Sequence, residues 1–214
     1  MTKSQTRPIN RMVALLRRVI GKKGRQSSWQ AQKANSSIKA DLIEPELNKL
    51  DCKSLLDIGC NAGEIARRLS HNRFVVGLDG NLDTRGFACP FDGVALGNVR
   101  VCDTILDAAP SFDAILLLSV HHQWYASMDK KNADNLLSAV MGKARKALFI
   151  EFSAINEKYG CDQGFVDNDA ESVKAYAKKF LGGFISEERI KYLGACPEFP
   201  EKEPFRYMFL VRQA

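Results

Sequence analysis

The sequence predicts an α/β fold: a doubly wound, mainly parallel seven-stranded sheet with an antiparallel last strand, preceded by an N-terminal helical extension. Three observations carry that prediction. From residue 53 onward, short aliphatic runs alternate with stretches of helical periodicity, the pattern of a parallel sheet layered between helices. The run Leu55-Leu56-Asp57-Ile58 is almost continuously apolar, as a strand covered on both faces must be, and it empties into a loop with glycines four apart. The last two strand candidates are joined by only residues 194–203, which suits an antiparallel hairpin at a sheet edge better than a crossover.

The elements follow in order. Residues 1–40 carry ten Lys and Arg and no carboxylate, while the rest of the chain holds 21 basic and 25 acidic side chains. The net charge of +6 therefore describes the arm and not the body. Within the arm, Ile9, Met12, Val13, Leu16 and Ile20 fall at helical spacing, with Pro8 suited to a first turn and Gly21 to a stop. Residues 29–50 read as a second helical region, interrupted near Pro45, so the division falls between an extension at 1–50 and a body at 51–214. In the body, strands are expected at 54–58, 74–78, 94–101, 114–118, 147–152, 184–193 and 206–211. Helices are expected at 62–70, 130–146 and 169–180, with a short one near 82–88. Pro204 precedes the last strand, where a missing ladder donor matters least.

Composition excludes several classes. With 45% hydrophobic and 26% charged residues the chain is neither disordered nor collagenous. The longest apolar run, 114–118, falls far short of the roughly 20 residues a bilayer span needs. Six scattered cysteines show no C-x-x-C and no zinc spacing, so reduced thiols, a cytoplasmic location and no metal site are expected.

The chemistry concentrates after the first strand, in Asp57-Ile58-Gly59-Cys60-Asn61-Ala62-Gly63. Glycine permits positive φ and lets a ligand approach the backbone, and the N-terminus of the following helix favours a carboxylate or phosphate. Such a loop alone also suits NAD, FAD and nucleotide folds. Two more acids narrow it: Asp79 closes the second strand, where an acid can bind both hydroxyls of a ribose. Asp103 follows the third strand, positioned for an adenine amino group. Asp57, Asp79 and Asp103 are expected at the C-terminal ends of consecutive strands, the face where open α/β sheets bind ligands.

These residues carry a resemblance. The Asp57–Gly63 segment, Gly77-Leu78-Asp79, Cys102-Asp103 and Phe112-Asp113-Ala114-Ile115-Leu116 resemble motifs I to IV of the class I S-adenosylmethionine-dependent methyltransferases, over about residues 50–212. The resemblance implies S-adenosyl-L-methionine as cofactor. Gly59, Cys60, Asn61 and Gly63 would line its methionine part, and Asp57 would orient the loop and bond its amino group. Asp79 with Gly80 would take the ribose, Asp103 with Thr104 the adenine, and Ser119 completes the cofactor set. The sequence departs from the family in Asn61, which replaces the middle glycine, and in lacking a Pro-Gly-Gly turn before residue 147. A non-catalytic subunit of the same fold, or a nucleotide-dependent oxidoreductase, is the alternative; an oxidoreductase loop would read G-x-G-x-x-G.

The acceptor is expected beside the loop after the fourth strand, Ser119-Val120-His121-His122-Gln123-Trp124-Tyr125. His121 and His122 are the candidate catalytic residues, with at most one of the two pointing into the cleft. Histidine titrates near neutrality and suits a base for a hydroxyl acceptor; an ionised phosphate would need only a hydrogen-bond donor. Trp124 and Tyr125 would stack on the acceptor or pack the loop. Glu151 is expected as a solvated strand-end carboxylate or an acceptor contact, and residues 156–169 as a lid. This stretch is also similar to RNA 5′-phosphate methyltransferases and to bacterial methyltransferases acting on phosphate or sugar ends of surface polysaccharides. That similarity implies O-methylation of a phosphate, sugar or other hydroxyl-bearing acceptor, a glycan or RNA end among them. The basic arm would dock on the body or a twin subunit, lie on the inner face of the membrane, or hold nucleic acid.

Overall fold

The computed structural model describes residues 33–80, 93–153, 169–199 and 202–213. The arm's apolar stripe, the short helix near 82–88 and most of the 156–169 loop lie outside the described residues.

The chain runs α1 (Lys33–Lys49), β1 (Ser54–Ile58), α2 (Glu64–Leu69), β2 (Phe74–Asp79), β3 (Val94–Asn98), α3 (Asp103–Ala108) and β4 (Phe112–Leu117). It continues with α4 (His121–Ser127), α5 (Lys130–Lys143), β5 (Ala144–Ser153), α6 (Ala170–Leu181), β6 (Ile190–Phe199) and β7 (Lys202–Arg212). One seven-stranded sheet has the order β3-β2-β1-β4-β5-β7-β6. β1 to β5 pair in parallel, and β7 is antiparallel to both β5 and β6. The order reverses between β1 and β4, which places a crevice at the C-terminal ends of those two strands.

Alternation along the strands splits the core between two faces. Leu56, Ile58, Ile115, Leu117, Leu148 and Ile150 meet α5 and α6 on one side. Leu55, Leu116, Phe149, Met208 and Leu210 meet Ile43 and Leu47 of α1, with Ala66 and Leu69 of α2, on the other. At the crevice end the second face changes character: Leu55 is followed two residues on by Asp57, Phe149 by Glu151, and Met208 is preceded by Arg206. The apolar columns end in a buried charged layer.

Several expectations are corrected. The helix expected to break near Pro45 runs through it. An interior proline costs ~3 kcal/mol, and Ile43 and Leu47 on either side are fully buried, each worth roughly 1.5–3 kcal/mol. One compact unit spans Ala34–Ala214. β6 starts at Ile190 and not near 184, because Gly182-Gly183 and a 3-10 turn at Glu187–Arg189 occupy the intervening residues. β3 ends at Asn98, so Asp103 opens helix α3 instead of closing a strand. The loop expected to carry the histidines is helix α4. The hairpin of the last two strands forms as expected, and among the described residues no helix is long and apolar enough to cross a membrane.

Candidate functional site

The glycine loop is bolted to the end of β2. Gly59 N–H and Cys60 N–H both donate to Leu78 O, at 2.7 and 3.2 Å, Asn61 N–H donates to Asp79 Oδ2 at 2.9 Å, and Gly63 N–H donates to Cys60 O at 2.8 Å. Gly59, Asn61 and Gly63 have φ of 79°, 50° and 71°, a region that disfavours side chains with a Cβ. Because these four amides are engaged within the protein, the loop does not present the row of free N–H donors that a phosphate cradle uses. What the loop offers is a fixed, closely approachable backbone.

Gly59 is also required from the other side. A Cβ there would lie 2.2 Å from Val120 Cγ2, the residue that leads into α4. The β1 and β4 loops therefore interlock at the crevice, and a residue larger than glycine would prise them apart.

Asp57 sits beneath this loop. It is 3% exposed, and its Oδ2 has no hydrogen-bond partner among the described residues. Burial, reinforced by the charge of Asp79 and opposed by that of Lys39, pushes its carboxyl up to about 7. Cys60 is buried beside it, and burial raises its thiol well above the ordinary range, so it is a neutral packing group. Around the rim, Asp79 is half-buried and bound to the loop through Asn61, while Asn61, Gly80, Asp103 and Thr104 are exposed. The structure thus joins Asp57, the loop and Asp79 into one unit. Asp103 and Thr104 stand on the following loop-to-helix junction, in the first turn of α3.

Across the crevice lies a cluster that the sequence did not disclose. Glu151, on β5, is completely buried and not the solvated strand-end carboxylate expected. Its Oε1 accepts from Ser119 Oγ at 2.7 Å and Arg206 Nη1 at 3.0 Å, and its Oε2 pairs with Lys39 Nζ at 2.5 Å. Burial would raise this carboxyl, but Lys39 and Arg206 outweigh it and pull it down to about 2. Ser119 holds a left-handed backbone at φ 59° and its carbonyl accepts from Gln123 Nε2 at 2.8 Å. Lys39 and Arg206 were missed as site residues, although a signal was present. Lys39 lies one and two turns before Ile43 and Leu47, on the buried stripe of α1, and Arg206 shares the buried parity of Met208 and Leu210.

The histidines occupy the first turn of α4 and are both buried. His121 is taken up by packing: its ring lies 4.7 Å from that of Phe152 and 6.2 Å from Phe180, edge-on to Tyr125. Burial, with His122 beside it, lowers His121 to about 3. His122 is lowered to about 4 by burial and then by Arg206. Both rings are therefore neutral at pH 7. Both rings lie within the field of Glu151 and Arg206, and His121 packs edge-on in the aromatic core. Trp124 is buried in that core, and Tyr125 donates its hydroxyl to Asp134, so both serve packing and helix pairing.

No protein-family model matches the chain, and no curated protein matches it. Solved structures do. The chain is similar to magnesium protoporphyrin IX methyltransferase from Synechocystis PCC 6803 with bound SAH, at 11% identity over 86% of this chain and 84% of that one, with a TM-score of 0.55. It is similar to the methyltransferase domain of bacterial CtHen1, at 13% identity over 82% of this chain and 97% of that one, TM-score 0.55. It is also similar to the bifunctional kinase-methyltransferase WbdD, at 18% identity and TM-score 0.53; the alignment covers 91% of this chain but 41% of WbdD. The fold is that of the class I methyltransferases.

Proposed function

We propose that this chain transfers a methyl group from S-adenosylmethionine to an acceptor oxygen. The observation that carries the reading is Asp57, a buried carboxylate at a strand end, beneath a glycine loop, with an oxygen unpartnered among the described residues. A buried carboxylate without a partner is costly, and an ammonium group delivered over the loop would settle that cost. The methionine part of the cofactor carries one.

On this reading Gly59, Cys60, Asn61 and Gly63 line the methionine part, and Asp57 holds its amino group. Asp79, already oriented by Asn61, takes the ribose hydroxyls with Gly80 beside it. Asp103 and Thr104 flank the adenine, and Ser119 closes the methionine end from β4. When bound, the cofactor supplies an electrophilic methyl group on a sulfonium. The chain's part is to hold the acceptor oxygen in line and to keep water out, and positioning of that kind supplies much of the acceleration. His122 serves as a hydrogen-bonding group toward the acceptor, because burial makes it too weak a base at pH 7 to remove a hydroxyl proton.

The test is isothermal titration of the full chain with S-adenosylmethionine, S-adenosylhomocysteine and NAD in parallel. Saturable binding of the first two without the third is expected; binding of NAD alone, or of none, refutes the reading. We further propose a cytoplasmic enzyme whose basic arm gives it peripheral membrane contact. Sedimentation with anionic liposomes, with and without residues 1–25, checks this, and equal sedimentation removes it.

A further inference from the structure

Among the described residues, four that are not glycine have a positive φ: Asp51, Asn61, Asn72 and Ser119. Three of them are Asp or Asn, whose short polar side chains tolerate the left-handed region. Ser119, at φ 59°, is the exception, and its surroundings hold it there. It stands just beyond the last paired rung of β4 and β5, Leu117 with Ile150, where the chain leaves the sheet for α4.

The holding contacts are specific. Ser119 Oγ donates to Glu151 Oε1 at 2.7 Å, and Ser119 O accepts from Gln123 Nε2, in the first turn of α4, at 2.8 Å. Glu151 is completely buried, and Lys39 Nζ fixes its other oxygen at 2.5 Å. A hydroxyl has one proton to give. That of Ser119 is spent on a buried carboxylate and is not offered to a ligand.

What the turn controls lies on either side of it. The next residue, Val120, rests on Gly59, with its Cγ2 in the space a Cβ would fill. Gly59 and Cys60 are tied to Leu78 O, and Asn61 to Asp79, so the cofactor loop and the end of β2 are one unit. After Val120 comes α4, with His122 in its first turn. A change of φ at Ser119 would therefore move Val120 against the loop and shift α4 at the same time.

We infer that Ser119 is a positioning residue: pinned by Glu151 in a left-handed turn, it fixes the cofactor loop, through Val120, and helix α4 relative to each other. This rests on the methyl-transfer reading above. In such a transfer the methyl carbon and the acceptor oxygen must meet in line, and a misplacement of about 1 Å can cost on the order of 10²-fold. A single pin on both sides of the crevice supplies that alignment without touching either substrate.

The experiment titrates the full chain and its variants with S-adenosylhomocysteine. Ser119→Ala keeps a Cβ at φ 59° and loses the bond that holds it there; affinity is expected to fall at least fivefold. Ser119→Gly loses the same bond but enters the left-handed region freely, so affinity within twofold of wild type is expected. Equal losses in the two variants would mean that the hydroxyl bonds the ligand, and wild-type affinity in both would mean that it only packs. Either result overturns the inference. In Ser119→Ala, a further Glu151→Gln should cost no more than twofold, because the link is already cut, and losses that multiply also overturn it. Should Ser119→Ala not fold, Ser119→Cys, close in volume and a poor donor, takes its place with the same criteria.

A wild-type chain that ignores S-adenosylhomocysteine refutes methyl transfer and not the pin. The pin is then read from hydrogen exchange of the Gly59 and Cys60 amides, measured against amides of β7. Exchange at least tenfold faster in Ser119→Ala, and within threefold of wild type in Ser119→Gly, upholds it; equal rates in all three proteins overturn it.

Discussion

Replacing Gly59 with alanine tests whether two loops of the crevice are interlocked. Two separate costs are expected. At φ 79° an alanine occupies the left-handed region, a penalty of ~1–2 kcal/mol. Its Cβ would also fall 2.2 Å from Val120 Cγ2, far inside contact distance, and a valine is stiff at χ1 and cannot easily turn away. Overpacking of this kind costs ~1–3 kcal/mol. Gly59→Ala should therefore destabilise by ~2–5 kcal/mol. Val120→Ala removes the methyl group that is struck, leaving Gly59→Ala with its backbone penalty alone. A double-mutant cycle on urea denaturation midpoints should then show ~1–3 kcal/mol of favourable coupling. Titration with S-adenosylhomocysteine on the four proteins should place the loss of affinity in Gly59→Ala and its partial return in the double variant. If the two substitutions add to within ~0.5 kcal/mol, the loops are not in contact as described.

Asp57 makes the chain's stability depend on pH. Its carboxyl is raised from 3.8 to about 7, so between those values the folded protein holds a proton that the unfolded chain has released. The group's contribution is full below that window and is lost as pH rises through it, at no more than about 1.4 kcal/mol per unit. Asp57→Asn should flatten urea midpoints measured at pH 5, 6 and 7, and an unchanged slope would contradict the burial argument. Glu151 behaves oppositely: its carboxyl is lowered from 4.5 to about 2, so its contribution is present above 4.5 and lost as pH falls toward 2. Glu151→Ala leaves Lys39 and Arg206 buried without their shared anion and should cost ~3–5 kcal/mol at pH 7. Melting at pH 7 and pH 3 checks this, with the difference from wild type expected to shrink at the lower pH. Asp79→Ala should weaken S-adenosylhomocysteine binding by ~1.5–3 kcal/mol, the scale of hydrogen bonds to a charged group. Equal affinity in a folded variant removes the ribose assignment.

What the sequence disclosed and what it hid follow from the range of the interactions. The unit from Leu55 to Asp79 was legible because strand, turn and acid are near neighbours, and each position has a local reason for its residue. Helix α3 was invisible because six residues are too few to show a period. Helix α4 lacked a start signal: Val120 caps it without a side-chain bond, and its start is fixed by Trp124 and the histidines entering the core. Glu151 looked solvated because the cations on its own strand, Arg145 and Lys146, stand at the strand's other end; its partners arrive from α1 and β7. The charged half of the site is thus tertiary in origin. Its trace in the sequence is a lysine and an arginine at positions whose spacing calls for apolar residues.

The placement of β7 between β5 and β6 has a temporal consequence. It follows every other strand in the chain, yet both of its neighbours wait for it: β6 has no ladder until β7 pairs with it, and β5 keeps a bare flank. During synthesis, the earlier strands can gather while, among the described residues, Glu151 has Lys39 and Ser119 to answer its charge. Arg206 arrives at the beginning of β7, so the strand that closes the sheet also completes the charged layer. Pairings between such distant segments form slowly. Assembly of the crevice should accordingly be among the last events of folding, and a nascent chain halted before β7 would lack the guanidinium that pairs with Glu151.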